Sequence, residues 1–269
     1  MKIPSVGAIV LAGAAIFAVA GCSSGKPGFR AETMRPDQQL NFSILYKQNC
    51  SGCHGDHGMY GAALPLNNPV YLTWAGHDRI LNIIANGVPH TLMPAFSYGG
   101  GGLVTNKQIE VIVNGMMSHW NKPGVLTGTN VPGYTPAGKG DVAQGQTAFR
   151  FYCARCHGTD GMGLSPGGFR STRNAAAAKP ESAVGSIVNP TYLALMSDQG
   201  LRDIVVAGMP SENMPDWRND APGKPMTDKE VTDIVAWLIS HRVQFPGRPF
   251  PQTQQQSAPQ SSQRTGGKS

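Results

Sequence analysis

Apolar side chains recur three and four residues apart in six segments of the chain, three in each half. This spacing places them on one face of an α-helix and is typical of helices that pack against a core. The positions are Phe42, Leu45, Tyr46, Ile80, Ile83, Ile84, Ile109, Ile112, Val113, Met116 and Trp120, then Phe149, Tyr152, Leu201, Ile204, Val205, Val231, Ile234, Val235, Leu238 and Ile239. No segment alternates as a β-strand does, so the pattern predicts an all-α fold.

The last helix of each half begins with the same local signal. Thr105 is followed three residues later by Gln108, and Thr227 by Glu230. A threonine with Gln or Glu at this spacing is a capping box, in which each residue accepts a hydrogen bond from the backbone of the other. We therefore expect both helices to begin at their threonines.

Short motifs between the helices also recur, which indicates an internal duplication. Asn68-Pro69 returns as Asn189-Pro190, and Met93-Pro94 returns as Met214-Pro215, in both cases 121 residues later. Two Cys-x-x-Cys-His runs, in contrast, are only 103 residues apart. The second copy therefore carries an insertion of 18 residues within Leu164–Ile187, which we predict to be a surface loop.

The duplication predicts two tandem domains, residues 36–120 and 140–243. Residues 121–139 are rich in Gly, Pro and Thr and are predicted to be a linker. Residues 244–269 consist largely of Pro, Gln and Ser and are predicted to be a disordered tail, because they offer little apolar surface to bury.

The two Cys-x-x-Cys-His runs, Cys50–His54 and Cys153–His157, carry the clearest chemical signal. This motif is a signature of covalent haem attachment, in which the thiols bond to the porphyrin edge and the histidine binds iron. A redox dithiol or a four-cysteine zinc site would also use Cys pairs, but neither predicts a histidine after both pairs. The sequence thus predicts two haem c groups. The predicted attachment residues are Cys50, Cys53, Cys153 and Cys156, and the predicted iron ligands are His54 and His157.

The start of the chain is typical of an export signal, with Lys2 before an apolar run from Val6 to Ala20. The run is shorter than the roughly 20 residues of a transmembrane helix. Val19-Ala20-Gly21-Cys22 resembles the bacterial lipobox, which predicts a lipoprotein signal peptide at 1–21, acylation of Cys22 and a tether at 22–35. A plain signal peptide with an unrelated cysteine is the alternative. With Cys22 acylated, all five cysteines of the chain have a role.

The charge distribution argues against a nucleic-acid-binding protein. Charged residues make up 14% of the chain, and the net charge of +6 is scattered without a basic run or interleaved aromatic residues. Two haem groups would add propionates that offset part of this positive charge. We therefore expect no nucleic-acid partner.

Each copy resembles a class I cytochrome c domain, over Pro36 to Trp120 and Gly140 to Val243. The resemblance rests on a helix leading into Cys-x-x-Cys-His, a Gly-x-Pro then Met-Pro segment and a last helix. It implies that Met93 and Met214 bind iron opposite the histidines. The long insertion in the second copy departs from the family pattern. The competing thioether is Met209, and the competing imidazoles are His77, His90, His119 and His241.

Histidine and methionine on opposite sides of an iron leave no open site, which favours electron transfer over oxygen or peroxide chemistry. We therefore expect an electron carrier held at a membrane of the cell envelope by the Cys22 lipid and facing the periplasm. Its expected partners are a respiratory or photosynthetic membrane oxidoreductase or oxidase and a soluble redox protein. The alternatives are a dihaem enzyme, peroxidase-like or sulfur-compound-oxidising, and a permanent subunit of a dehydrogenase or quinol-oxidising complex.

Overall fold

The computed structural model describes residues 34–164, 184–218 and 223–243. The predicted signal peptide, Cys22, most of the tether, the tail after residue 243 and most of the insertion lie outside these ranges. Both helical domains belong to one compact unit that begins at Leu40. In the unit that precedes it, the described residues form a 3₁₀ turn, Pro36–Gln38.

The described residues contain ten α-helices, five in each domain, and no β-strand, which confirms the all-α prediction. The helices of the first domain are α1 (Phe42–Asn49), α2 (Ser51–His54), α3 (Pro69–Ala75), α4 (His77–Asn86) and α5 (Asn106–Trp120). Those of the second are α6 (Val142–Tyr152), α7 (Ala154–His157), α8 (Pro190–Leu195), α9 (Asp198–Ala207) and α10 (Asp228–Ile239). None of these described helices has the length and apolar character needed to cross a bilayer.

Reciprocal caps fix the start of the last helix in both domains. The Gln108 backbone N–H donates to the Thr105 hydroxyl over 3.2 Å, and the Thr105 N–H donates to the Gln108 side chain over 3.0 Å. Thr227 and Glu230 form the same pair of bonds, at 3.2 and 2.8 Å. Both bonds satisfy backbone donors that the start of a helix leaves open, so the two predicted capping boxes are confirmed.

The last helix of each domain packs one apolar face into the core. On α5 the buried apolar side chains are Ile109, Ile112, Val113 and Met116, each at most 1% exposed. In the second domain, the ring centroids of Phe149 on α6 and Trp237 on α10 are 4.3 Å apart. The predicted apolar stripes therefore form the buried helix faces, and each large side chain buried there contributes about 1.5–3 kcal/mol.

Helices α3 and α8 are not among the predicted helices, because the repeated Asn-Pro motif served there only as evidence of the duplication. The Asn68 side chain accepts hydrogen bonds from the N–H groups of Val70 and Tyr71 and so caps α3. Asn189 caps α8 in the same way. A capping asparagine followed by proline at the first helical position is a helix-start signal, and it could have revealed both elements.

The predicted linker is fixed between the two domains. The Trp74 indole N–H of the first domain donates to the Pro132 carbonyl over 2.7 Å. From the second domain, the Arg202 guanidinium donates to the carbonyls of Gly133 and Tyr134 at 2.6 to 3.1 Å. The Tyr134 ring also packs 4.7 Å from the Trp74 ring. The linker thus serves as a bridge to which both domains are hydrogen-bonded.

Asp203 on α9 is a buried carboxyl beside this bridge, with 5% of its surface exposed. The Gln199 side chain donates one N–H to Asp203 over 2.8 Å and another to the Tyr134 carbonyl over 3.1 Å. Burial raises the pKa of Asp203 to about 7, although the Gln199 hydrogen bond and the charges of Arg202 and Arg79 act in the opposite direction. Removal of this group from water therefore favours its neutral form.

This carboxyl predicts a pH dependence of stability. Its pKa is near 4 in the unfolded chain and about 7 in the folded chain, so its stabilising contribution is complete below pH 4. That contribution is lost as the pH rises to 7, by at most about 1.4 kcal/mol per pH unit. Urea unfolding at several pH values should show the wild type losing stability relative to Asp203→Asn across this range. Asp198→Asn, which changes an exposed carboxylate of the same helix, should leave the wild-type slope unchanged. Parallel curves for wild type and Asp203→Asn would contradict the assignment.

Candidate haem-binding sites

The Cys-x-x-Cys-His runs form the same one-turn structure in both domains. The Cys50 N–H donates to the Tyr46 carbonyl of α1 over 2.8 Å, and the His54 N–H donates to the Cys50 carbonyl over 3.0 Å. The corresponding bonds of Cys153 and His157 have lengths of 2.8 and 3.0 Å. The local fold therefore continues the helix through the motif and holds two thiols and one imidazole within a single turn.

The thiols of each pair differ in environment. None of the four motif cysteines forms a disulfide; Cys50 and Cys153 are half-buried, and Cys53 and Cys156 are exposed. Burial raises the pKa of the Cys50 and Cys153 thiols to about 12. Each motif thus places one half-buried and one exposed thiol on the same turn. This arrangement fits a haem that is bonded to both thiols along one edge of its porphyrin.

The imidazole of His54 is held in the form that can bind iron. Its Nδ1 lies 2.7 Å from the Leu64 carbonyl oxygen. Because a carbonyl only accepts hydrogen bonds, Nδ1 carries the proton and Nε2 keeps a free lone pair. Burial also lowers the pKa of His54, which keeps the ring neutral. A histidine that donates Nδ1–H to a backbone carbonyl is the usual arrangement of an imidazole metal ligand.

His157 differs from His54 in its outer partner. Burial lowers its pKa as well, so the ring is neutral. Its Nδ1 is buried and has no hydrogen-bond partner among the described residues. The two imidazoles share their place in the motif but differ in the group that orients them.

The hydrogen bond between His54 and the Leu64 carbonyl could not be predicted from the sequence, because any residue can supply a backbone carbonyl.

The Met-Pro segments lie against the ends of α4 and α9. Gly87 and Gly208 end these helices with φ values of +69° and +67°. A Cβ atom on Gly87 would lie 2.8 Å from the Met93 carbonyl oxygen, and one on Gly208 would lie 2.7 Å from that of Met214. Only glycine fits this approach at a positive φ. Both methionines are half-buried, so the fold places them alike in the two domains.

The competing ligands have other surroundings. The His77 ring lies within hydrogen-bond distance of Asp78 and Asn114, and the His119 ring stacks on Phe42 with 5.2 Å between centroids. His241 lies 2.9 Å from the Trp237 carbonyl at the end of α10, as a helix-end histidine would. Among the described residues, no three His, Cys, Asp or Glu side chains are arranged so that they could hold a metal ion between them, and the two Cys pairs therefore form no four-cysteine zinc site. The assignment of cysteines, histidines, Met93 and Met214 to two haems remains a prediction, which these contacts support.

A cavity of about 520 Å³ adjoins the second site. Met214 and Arg155, which lies between Cys153 and Cys156, line it from the second domain. Asn68 and Lys122 line it from the first domain and the linker. The surroundings of the second Met-Pro segment are therefore built by both parts of the chain.

Two tandem helical domains of this kind, each with a Cys-x-x-Cys-His turn and a Met-Pro segment, define a multihaem class I cytochrome c with covalently bound haem. The chain belongs to the family described as cytochrome c oxidase, cbb3-type, subunit III, which matches residues 40–114 and 140–238. It is thus a c-type cytochrome that takes part in electron transfer.

Similar proteins include the thiosulfate dehydrogenase of Stutzerimonas stutzeri (strain A1501), 30% identical over 45% of this chain and 41% of its own length. The cbb3-type cytochrome c oxidase subunit CcoP of Azospirillum sp. (strain B510) is 30% identical over 46% of this chain and 40% of its own. The chain therefore spans less than half the length of either relative. A chain of the Kuenenia stuttgartiensis reducing HAO-like protein complex Kustc0457/Kustc0458 aligns with 75% of this chain and 95% of its own, at 17% identity and a TM-score of 0.41.

Proposed function

We propose that the protein is a dihaem electron carrier anchored to a membrane through a lipid on Cys22 and facing the periplasm or another extracytoplasmic space. It passes electrons between a membrane oxidoreductase or oxidase and another redox carrier. The observation that carries the proposal is the duplicated site, in which a Cys-x-x-Cys-His turn and a Met-Pro segment recur with the same local contacts. Bound haem c supplies one-electron Fe(III)/Fe(II) chemistry.

The side chains of the two sites would attach the haems, bind their irons and set their reduction potentials. Each cysteine pair would hold one haem covalently, and the neutral His54 and His157 rings would each present Nε2 to an iron. The thioethers of Met93 and Met214 would be weak donors to the iron, and a thioether favours Fe(II) and so a higher reduction potential than a second imidazole. If these histidines and methionines hold each iron, no ligand position would be left for a substrate, and the role of the protein would be electron transfer.

The relatives support a partner at a membrane. One of them is named as a subunit of a cbb3-type cytochrome c oxidase. By analogy, the partner of this chain would be an oxidase or oxidoreductase, either met transiently or held in a permanent complex. The other is named as a thiosulfate dehydrogenase, which favours a sulfur-compound-oxidising enzyme as the second candidate. Such an enzyme needs an open or displaceable axial position, for which the cavity beside Met214 is the place to look.

The test is to express the full chain in a bacterium that matures c-type haem and to compare it with a variant in which residues 1–22 are replaced by the cleavable signal peptide of a soluble periplasmic protein. We expect the wild type in the membrane fraction and the variant in the periplasmic fraction, each with about two haems per chain by pyridine haemochrome assay. Both haems should also resist cyanide. A variant that remains in the membrane fraction without residues 1–22 would contradict the lipid anchor, and a haem that binds cyanide readily would favour the enzyme.

A further inference from the structure

Asn68 is a fully buried side chain that bonds to both domains, with 0% of its surface exposed. Its oxygen accepts hydrogen bonds from the Val70 and Tyr71 N–H groups, at 3.0 and 3.2 Å, and caps α3. Its nitrogen donates into the second domain, to the carbonyls of Ala207 over 3.0 Å and Gly208 over 3.2 Å. A side-chain amide has one acceptor oxygen and two N–H donors, so every polar group of the Asn68 side chain is hydrogen-bonded.

The carbonyls that Asn68 binds belong to the C-terminal end of α9. The last carbonyls of a helix have no partner within it and need one from elsewhere. This same helix end lies against the Met214 segment, because a Cβ atom on Gly208 would be 2.7 Å from the Met214 carbonyl oxygen. The Trp217 N–H, just beyond Met214-Pro215, donates to the Val206 carbonyl over 3.0 Å. Asn68 and the Met214 segment therefore bind to neighbouring groups of one helix end.

The cavity beside the second site includes both partners. Asn68, Ala207 and Met214 all line it. Asn68 is thus near Met214 in two ways: both residues line this cavity, and both lie against the end of α9. Loss of the Asn68 hydrogen bonds would therefore loosen the end of α9, and with it the Met214 segment that packs there.

The duplication provides an internal comparison. Asn189, the counterpart of Asn68, caps α8 by accepting from the Thr191 and Tyr192 N–H groups at 2.9 and 3.1 Å. It is exposed, however, and its nitrogen makes no bond to the first domain within the described residues. The same residue in the same motif therefore has a cross-domain role in one copy only.

We propose that Asn68 is a positioning residue for the second haem: by bonding to the end of α9, the first domain holds the Met214 segment in place as an iron ligand. This inference rests on the proposed function, in which Met214 binds iron. It implies that the two sites are not independent, because the ligand of the second depends on a side chain of the first domain.

The test measures how readily imidazole displaces methionine from each ferric haem of the purified dihaem protein. The signal is the weak red absorption band of a methionine-ligated ferric haem, and Met93→Ala and Met214→Ala assign the two phases. Asn68→Asp keeps the side-chain oxygen that caps α3. It replaces the NH₂ group with an oxygen, which cannot donate to the Ala207 and Gly208 carbonyls. We expect its second site to bind imidazole at least about tenfold more tightly, because two buried hydrogen bonds are lost and one alone is worth about this factor.

The matched control is Asn189→Asp, which keeps the cap of α8 and removes no cross-domain bond. It should leave both phases as in the wild type, and the first site should be unchanged in Asn68→Asp. Asn68→Ser, which keeps a capping hydroxyl but is too short to reach α9, should reproduce the effect of Asn68→Asp without a new charge.

The possible results separate the two proposals. A second site that responds as in the wild type in both Asn68 variants overturns the positioning role and leaves the proposed function intact. An equal response at both sites also overturns it, because that pattern indicates general destabilisation. A wild-type ferric protein that lacks the red absorption band at both haems contradicts the His/Met ligation of the proposed function itself.

Discussion

Replacing Cys50 and Cys53 together by alanine is expected to leave one haem on the chain instead of two. The thioether bonds of the first haem depend on these two thiols, and the second motif has its own pair on α7 and the residue before it. The pyridine haemochrome absorbance per chain should therefore fall to about half of the wild-type value. Cys153→Ala with Cys156→Ala should give the same value, because the two turns have the same local structure.

Ser51→Ala provides the control for this experiment. Ser51 lies in the same turn, and its hydroxyl donates only to the Lys47 carbonyl over 2.9 Å at the surface. Its loss should cost little and leave about two haems attached. A double-cysteine variant that retains both haems, or one that loses both, would show that the two motifs do not each attach a separate haem.

The parts of the fold that could be predicted from the sequence are those fixed within a few residues. The stripe of Ile109, Ile112 and Val113 and the Thr105 capping box depend on neighbours along one helix, and the structure has both. The bridging role of the linker could not be predicted. Gly133 and Tyr134 accept the Arg202 hydrogen bonds through backbone carbonyls, which every residue supplies, so their residue types do not predict these bonds.

The candidate sites divide in the same way. The spacing of Cys50, Cys53 and His54 is local, and the sequence sufficed to identify it. The cross-domain bonds of Asn68 could not be read from it, because Asn68 and Asn189 belong to identical Asn-Pro motifs and differ only in what packs against them. Which copy is buried at the contact between the domains is decided by tertiary structure.

Arg202 is expected to be one of the side chains on which stability depends most, since it is 2% exposed and binds both the linker and α10. It forms an ion pair with Asp228 and donates to the Thr232 hydroxyl over 3.1 Å and to the Gly133 carbonyl over 2.6 Å. Replacing it by methionine keeps much of its apolar length but leaves the carbonyls and the carboxylate without their donor. Buried polar groups left unpaired in this way are costly.

We expect Arg202→Met to lower the free energy of unfolding of the haem-loaded protein by about 3 kcal/mol, in the range measured when one partner of a buried ion pair is removed. Urea unfolding followed by near-ultraviolet circular dichroism measures the change. The control is Lys224→Met, because Lys224 pairs with Glu230 over 3.2 Å but is 60% exposed. A solvent-exposed pair of this kind contributes little to stability. Equal losses in the two variants would mean that the buried bonds of Arg202 to the linker and to α10 add nothing to the free energy of unfolding.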